Sequence, residues 1–277
     1  MSNISNNKKF EDLDLLDSFL FIESTTKQEH AKFIAKLIIK RALGWDVKEI
    51  SVESEKQYLG IATGKRGIRL DLQVTESMNG KVVRLYDIEP NKYSEVNLPK
   101  RSRYYQSLTD AKYLETSMKF CELPEWFSLW ILPYDPFGGD RMVYTVKNQV
   151  VEDPNLVYND GVTKLFLYTD GEIGGSAQLR ALLRFFKNST ETNAVDPDLK
   201  QLQSIISEIK CSKEVGERYM TFEDIIDLEK EESYKQAVIG SISICRKLGQ
   251  SNDTIIKLIM EEHSLTLEEA TKLVNNN

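Results

Sequence analysis

Gly67-Ile68-Arg69-Leu70-Asp71-Leu72-Gln73-Val74 alternates apolar and polar side chains at the two-residue period of a half-buried strand. Ile68, Leu70, Leu72 and Val74 share one face, and Arg69, Asp71 and Gln73 the other. Asn79-Gly80 is the residue pair that a tight hairpin favours, and Val82 to Asn91 returns as a second strand with Val83, Leu85, Asp87, Glu89 and Asn91 on one face. If Asp71 lies opposite the far end of that strand, Asp71 and Glu89 become neighbouring hard oxygen ligands, the arrangement Mg²⁺ or Mn²⁺ takes. The plainer reading of the same residues is a set of strand-end carboxylates solvated or paired with Lys and Arg.

Outward from the hairpin, Pro99-Lys100-Arg101-Ser102-Arg103-Tyr104-Tyr105-Gln106-Ser107-Leu108 opens a helix that the pattern carries through Met118, with Pro99 in its first turn. Arg101 and Arg103 are candidates for holding phosphates. Tyr104 and Tyr105 would stack on a base or pack on the sheet, with packing the default for one of them. Upstream, Leu13 to Ile22 is a short apolar run, Lys27 to Leu43 has helical spacing and ends at Gly44, and Val47 to Tyr58 contains a first strand leading to a loop at Gly60 to Gly67. Downstream, Phe127 to Leu132 is nearly all apolar, as a central strand buried on both sides would be. Pro133-Tyr134-Asp135-Pro136-Phe137-Gly138-Gly139 is a turn, and Met142 to Val146 and Val162 to Tyr168 add two strands.

From Gly171 the pattern becomes helical. Ser176 to Lys187, Asp196 to Cys211 and Phe222 to Leu248 read as amphipathic helices. Two short helices close the chain, one capped by Asn252 or Asp253 and one opened by Thr266 with Glu269 at capping-box spacing. Their acidic character fits a packing or dimerisation module better than a helix-turn-helix reading a DNA groove.

The chain has 277 residues, 41% of them hydrophobic, enough for one large domain or a domain with an appendage. No apolar run approaches the ~20 residues that span a bilayer, and the first ten residues lack the apolar core of a signal peptide, so a soluble cytoplasmic protein without membrane contacts is expected. Cys121, Cys211 and Cys245 have no metal or disulfide spacing and are expected as free thiols, and the two histidines make a histidine-based zinc site improbable. A net charge of −7 argues against general nucleic-acid binding. The basic residues between Lys92 and Lys112 still allow a local basic face. No P-loop, GxGxxG or GxSxG motif is present.

From about Asp17 to Lys187 the chain resembles the PD-(D/E)XK nuclease family transposases, the Rpn family of recombination-promoting nucleases. The resemblance is carried by four ordered stretches: Gly67-Ile68-Arg69-Leu70-Asp71, Leu85-Tyr86-Asp87-Ile88-Glu89, Leu98 to Ser107 and Pro133 to Gly138. It implies an α/β (α+β) restriction-endonuclease-like fold, a mixed β-sheet flanked by helices with an αβββαβ core over residues 1–190 and a helical C-terminal extension over 191–277. It also implies Mg²⁺- or Mn²⁺-dependent hydrolysis of DNA phosphodiesters, with DNA as partner; self-association through the C-terminal helices is an expectation from their own residues. By position it makes Asp71, Glu89 and the Pro90 carbonyl the metal ligands and Asn91 the water-orienting group, and leaves Arg101, Arg103, Tyr104 and Gln106 to bind DNA. Two residues depart from the family pattern. Asn91 stands where Gln is usual, and Pro90 removes a backbone donor, which predicts an edge, a bulge or a distorted strand there. A non-catalytic DNA-binding or protein-interaction module is the alternative that these departures leave open.

Overall fold

The computed structural model describes residues 8–60 and 62–276. Three helices form before and among the strands: α1 (Ser18–Ser24), α2 (Gln28–Leu43) and α3 (Leu98–Tyr113). The strands are β1 (Glu49–Tyr58), β2 (Ile68–Met78), β3 (Lys81–Pro90), β4 (Glu125–Leu132), β5 (Val143–Val146) and β6 (Val162–Tyr168). They make one six-stranded mixed sheet in the order β1-β2-β3-β4-β6-β5. β1, β2 and β3 are an antiparallel meander, β3, β4 and β6 run parallel, and β5 returns antiparallel to β6. The run α2-β1-β2-β3-α3-β4 therefore follows the expected αβββαβ order.

The hairpin turn at Asn79-Gly80 has both residues in the left-handed region, φ 52° and 74°, which Asn and Gly tolerate best. β4 is interior, and Trp126, Leu129, Trp130, Ile131 and Leu132 are all buried, so neither face of its last residues meets solvent. One of those faces receives α3. Leu98, Tyr105 and Leu108 pack there with Ile68, Leu70, Trp130, Leu132 and Phe166.

Pro90 does not put β3 on an edge. β3 lies between β2 and β4, Pro90 pairs with Ile131, and the N–H of Asn91 continues the ladder to the Ile131 carbonyl at 2.9 Å. The pairing of β3 with β2 ends earlier, at Leu72 and Ile88, so the missing donor falls where that ladder has stopped. The register irregularity in the hairpin lies instead at Glu76 and Ser77.

Five further helices follow: α4 (Ala177–Lys187), α5 (Pro197–Lys210), α6 (Lys213–Lys247), α7 (Asn252–His263) and α8 (Leu267–Asn276). The chain divides into two compact units between Val215 and Gly216. α5 belongs to the sheet unit because its N-cap Asp196 accepts from Arg41 of α2 through both oxygens, at 2.9 and 3.0 Å, while also capping the Leu199 N–H. α3 stops at Tyr113 instead of reaching Met118, and α6 starts at Lys213 instead of Phe222, opened by Ser212, whose hydroxyl accepts from the Val215 N–H.

The second unit, Gly216–Asn277, has its own core of Val238, Ile242, Ile255, Ile259, Ala270 and Val274. Ser251, not Asn252 or Asp253, caps α7. Thr266 and Glu269 form the expected reciprocal box at the start of α8, with N–H to side-chain distances of 2.9 and 3.3 Å. All three cysteines are free, and no helix among the described residues is long and apolar enough to cross a membrane.

Candidate active site

Antiparallel pairing of Gln73 with Asp87 and of Leu72 with Ile88 carries Asp71 next to Glu89. The contact is direct, since the backbone N–H of Asp71 donates to Glu89 Oε1 at 2.8 Å. Glu89 and Asp87 are each only 1% exposed, because the α3 helix covers this part of the sheet. Asp87 is buried against the carboxyl of Glu89, which hydrogen-bonds it, and has no N–H or hydroxyl donor among the described residues, while Gln73 Nε2 opposite it is buried without a partner. Gln73 Oε1 accepts from Tyr58 OH at 2.8 Å.

Burial of so much negative charge raises the carboxyl pKa values. Asp71 is pushed up to about 6 by burial, with Arg69 and Arg101 pulling the other way and Glu55 adding to the rise. Asp87 is pushed up to about 8, again chiefly by burial, with the hydrogen bond from Glu89 opposing the rise, the charge of Asp71 adding to it and that of Arg101 opposing it. Glu89 rises well above its ordinary value through burial and then through repulsion from Asp87 and Asp71.

Arg101 supplies the compensating charge. Its guanidinium lies 3.7 Å from Glu89 Oε2, pairs with Glu95 at 3.0 Å, donates through Nε to Tyr105 OH at 3.0 Å, and sits 5.1 Å from the ring centres of both Tyr105 and Trp130. Two residues along a helix is a turn of about 200°, so Arg103 faces away from Arg101 and is exposed. Tyr105 takes the packing role, while Tyr104 is 38% exposed and its hydroxyl donates to the Arg66 carbonyl. Gln106 Nε2 donates along its own helix to Asp110 Oδ2 at 3.4 Å. Of the residues expected to bind DNA, Arg101 adjoins the carboxylates, Tyr104 meets the β1–β2 loop at Arg66, and Arg103 and Gln106 occupy other parts of the helix surface.

Asn91 lies one residue beyond Pro90, and its Nδ2 donates to Tyr134 OH at 3.2 Å, which fixes the amide beside the Pro133–Gly139 turn. That turn is organised by Asp135, which accepts from the N–H groups of Phe137, Gly138 and Asp140 and from Tyr144 OH.

Asp71, Asp87 and Glu89 offer only hard oxygen donors, in a setting where their mutual repulsion is poorly compensated, and that chemistry suits Mg²⁺ or Mn²⁺. Among the described residues, however, no three His, Cys, Asp or Glu side chains are already spaced as a cation cage. The residue that sequence reading left out of the site is Asp87. It lies on the same strand face as Glu89 and is 1% exposed, a burial that the strand's alternation does not announce. A pocket of about 920 Å³ toward the other end of the hairpin, lined by Trp45, Glu76, Arg84, Glu125 and Tyr158 among others, contains none of these residues.

No protein-family model, no curated protein and no solved structure matches this chain.

Proposed function

We propose that this protein is a divalent-cation-dependent endonuclease of the PD-(D/E)XK transposase type, acting on DNA phosphodiesters. The observation that carries the reading is the hydrogen bond from the Asp71 main-chain N–H to Glu89 Oε1, which joins two carboxylate residues of adjacent strands, with a third, Asp87, buried against Glu89. The αβββαβ order, in a mixed sheet flanked by helices, supports the restriction-endonuclease-like assignment.

In this mechanism Asp71 and Glu89, with the Pro90 carbonyl, hold Mg²⁺ or Mn²⁺, which when bound acidifies a water and neutralises charge on the scissile phosphate. Asn91 is held by its donation to Tyr134, which leaves the amide oxygen to accept from and orient the attacking water; an amide cannot itself take the proton. Arg101, raised in basicity by its acidic and phenolic neighbours despite its burial, is positively charged throughout and stabilises the ionised carboxylates. Self-association through the C-terminal helices belongs to the same proposal, supported by the exposed apolar side chains Ile244, Leu248, Leu258 and Leu267.

Asp71→Ala, purified in parallel with the wild type, is expected to abolish Mg²⁺-dependent nicking of plasmid DNA while leaving the far-UV circular dichroism unchanged. Nicking that persists undiminished in this variant would overturn the assignment. The second reading, a non-catalytic module on the same fold, draws on Arg101 already occupying the neighbourhood of Glu89 and on the absence of a ready three-ligand cage among the described residues. Salt-dependent DNA retardation with no thermal stabilisation by millimolar Mg²⁺ or Mn²⁺ would favour it.

A further inference from the structure

Asp71 opens onto a pocket of about 420 Å³ whose lining has an unusual charge for a chain of net charge −7. Arg66, Arg69 and Arg101 line it, and Asp71 is the only carboxylate among its lining residues, with Tyr58 and Tyr105 on its walls. The arginines come from separate elements: Arg66 from the β1–β2 loop, Arg69 from β2 and Arg101 from α3.

The loop that brings Arg66 here is built for close approach. A Cβ at Gly67 would stand 2.6 Å from the Tyr58 carbonyl oxygen, and one at Gly60 would stand 2.2 Å from that of Lys65, so neither position accepts a side chain without moving backbone. The hydroxyl of Tyr104 donates to the Arg66 carbonyl, which ties the loop to α3 next to Arg66. Arg66 itself is exposed and makes no ion pair among the described residues. Arg69 pairs with Glu55 at 3.2 Å, but their side chains are 55% and 43% exposed, and a pair so solvated is readily exchanged for a better anion.

We infer that this pocket receives a backbone phosphate of a nucleic-acid strand, held between Arg66 and Arg69 and bordered by Arg101, with the neighbouring sugar or base against Tyr58 and Tyr105. Guanidiniums converging on one cavity match the geometry of phosphate oxygens, and the adjoining tyrosines provide ring faces for a nucleoside. The inference deepens the nuclease reading by assigning the substrate strand a seat beside Asp71 and by moving the principal phosphate contacts from Arg103 and Gln106 to Arg66 and Arg69.

The test is fluorescence anisotropy of a labelled oligonucleotide with the full chain in EDTA, so that binding is read without cleavage. The double variant R66Q/R69Q changes only exposed side chains, and its fold is checked by circular dichroism. It is expected to bind at least about tenfold more weakly, and to show a log K against log salt slope shallower by about two. K200Q/K257Q, which removes two exposed lysines elsewhere, is expected to match the wild type. Equal affinity of R66Q/R69Q and wild type, equal weakening by both double variants, or stabilisation of the wild type by inorganic phosphate without oligonucleotide binding would each overturn the inference. Arginine-dependent binding by a wild type that cuts no DNA with Mg²⁺ would remove the nuclease reading and leave this inference standing.

Discussion

The backbone N–H of Asp71 donates to Glu89 Oε1 at 2.8 Å, so a side chain of β3 takes a main-chain donor of β2 just past the last recorded pair of their ladder, Leu72 with Ile88. The two strands hand over from backbone pairing to side-chain pairing at the candidate site. This frees β3 to end in Pro90 without loss of a cross-strand bond, and it places Glu89 beside the carboxyls of Asp87 and Asp71, with the Asp71 N–H and Arg101 offsetting their charge.

The first prediction concerns pH. Asp87 titrates at about 8 and Asp71 at about 6 in the folded protein, each raised chiefly by burial from an ordinary value of 3.8. Between those limits the folded state binds more protons than the unfolded state, so stability is fullest below the ordinary carboxyl pKa and declines as pH rises toward 8. Asp87→Asn removes one of these titrations. Its Tm is expected to fall less than that of the wild type between pH 5 and 8.5, by at least about 4 °C, the change that roughly 1–2 kcal/mol produces in a chain of this size. Parallel Tm curves for the two proteins would contradict the assigned burial of Asp87.

Arg101 and a divalent cation compete for the same negative charge. Removing the guanidinium in Arg101→Met keeps an unbranched side chain against Trp130 while deleting the positive charge near Glu89. The variant is expected to be less stable than wild type at pH 8 without metal and to bind Mn²⁺ more tightly by a few-fold, because a repelling charge has gone. Mn²⁺ titration followed by electron paramagnetic resonance measures this directly. Weaker Mn²⁺ binding by Arg101→Met would mean that the guanidinium organises the carboxylates rather than competing for them.

Much of the sheet was readable because its strands obey a simple period. The alternation around Asp71, the Asn79-Gly80 turn and the unbroken apolar run of β4 each carry their own signal. The adjacency of Asp71 and Glu89 followed from that register. What escaped was set by tertiary contact. Asp87 looks like any polar residue on an alternating strand although it is buried, and nothing local announces that Arg66 of the loop, Arg69 of β2 and Arg101 of α3 line one pocket. Nothing local in α5 announces that Asp196 will meet Arg41. The turn of about 200° between Arg101 and Arg103 is a property of any helix and sets the two side chains on different faces of α3.

Asp135 makes a prediction about the turn beside Asn91. Its carboxyl is held below the ordinary value because hydrogen bonds from the Phe137 N–H, Tyr144 OH and the Asp140 and Gly138 N–H groups outweigh its partial desolvation. Asp135→Ala removes the shared acceptor of all four donors. Because the turn is largely exposed and water can replace the carboxylate, the cost is expected to be about 1–2 kcal/mol rather than the sum of four buried bonds. Amide hydrogen exchange should quicken at Phe137, Gly138 and Asp140 while β4 stays protected. Unchanged exchange at those three amides would show that Tyr144 or the chain itself holds the turn.

Ile259 tests the independence of the C-terminal unit. It is 1% exposed and sits among Val238, Ile242, Ile255, Ala270 and Val274, so Ile259→Ala leaves a cavity at the centre of this core. Truncations of this kind cost about 2–5 kcal/mol, and a small unit has little surplus with which to absorb the loss. The variant is expected to lose hydrogen-exchange protection throughout α7 and α8, at least about tenfold, with protection in β3 and β4 unchanged, because the division after Val215 leaves the sheet core intact. Loss of protection in β3 and β4 of equal size would mean that the two units unfold as one.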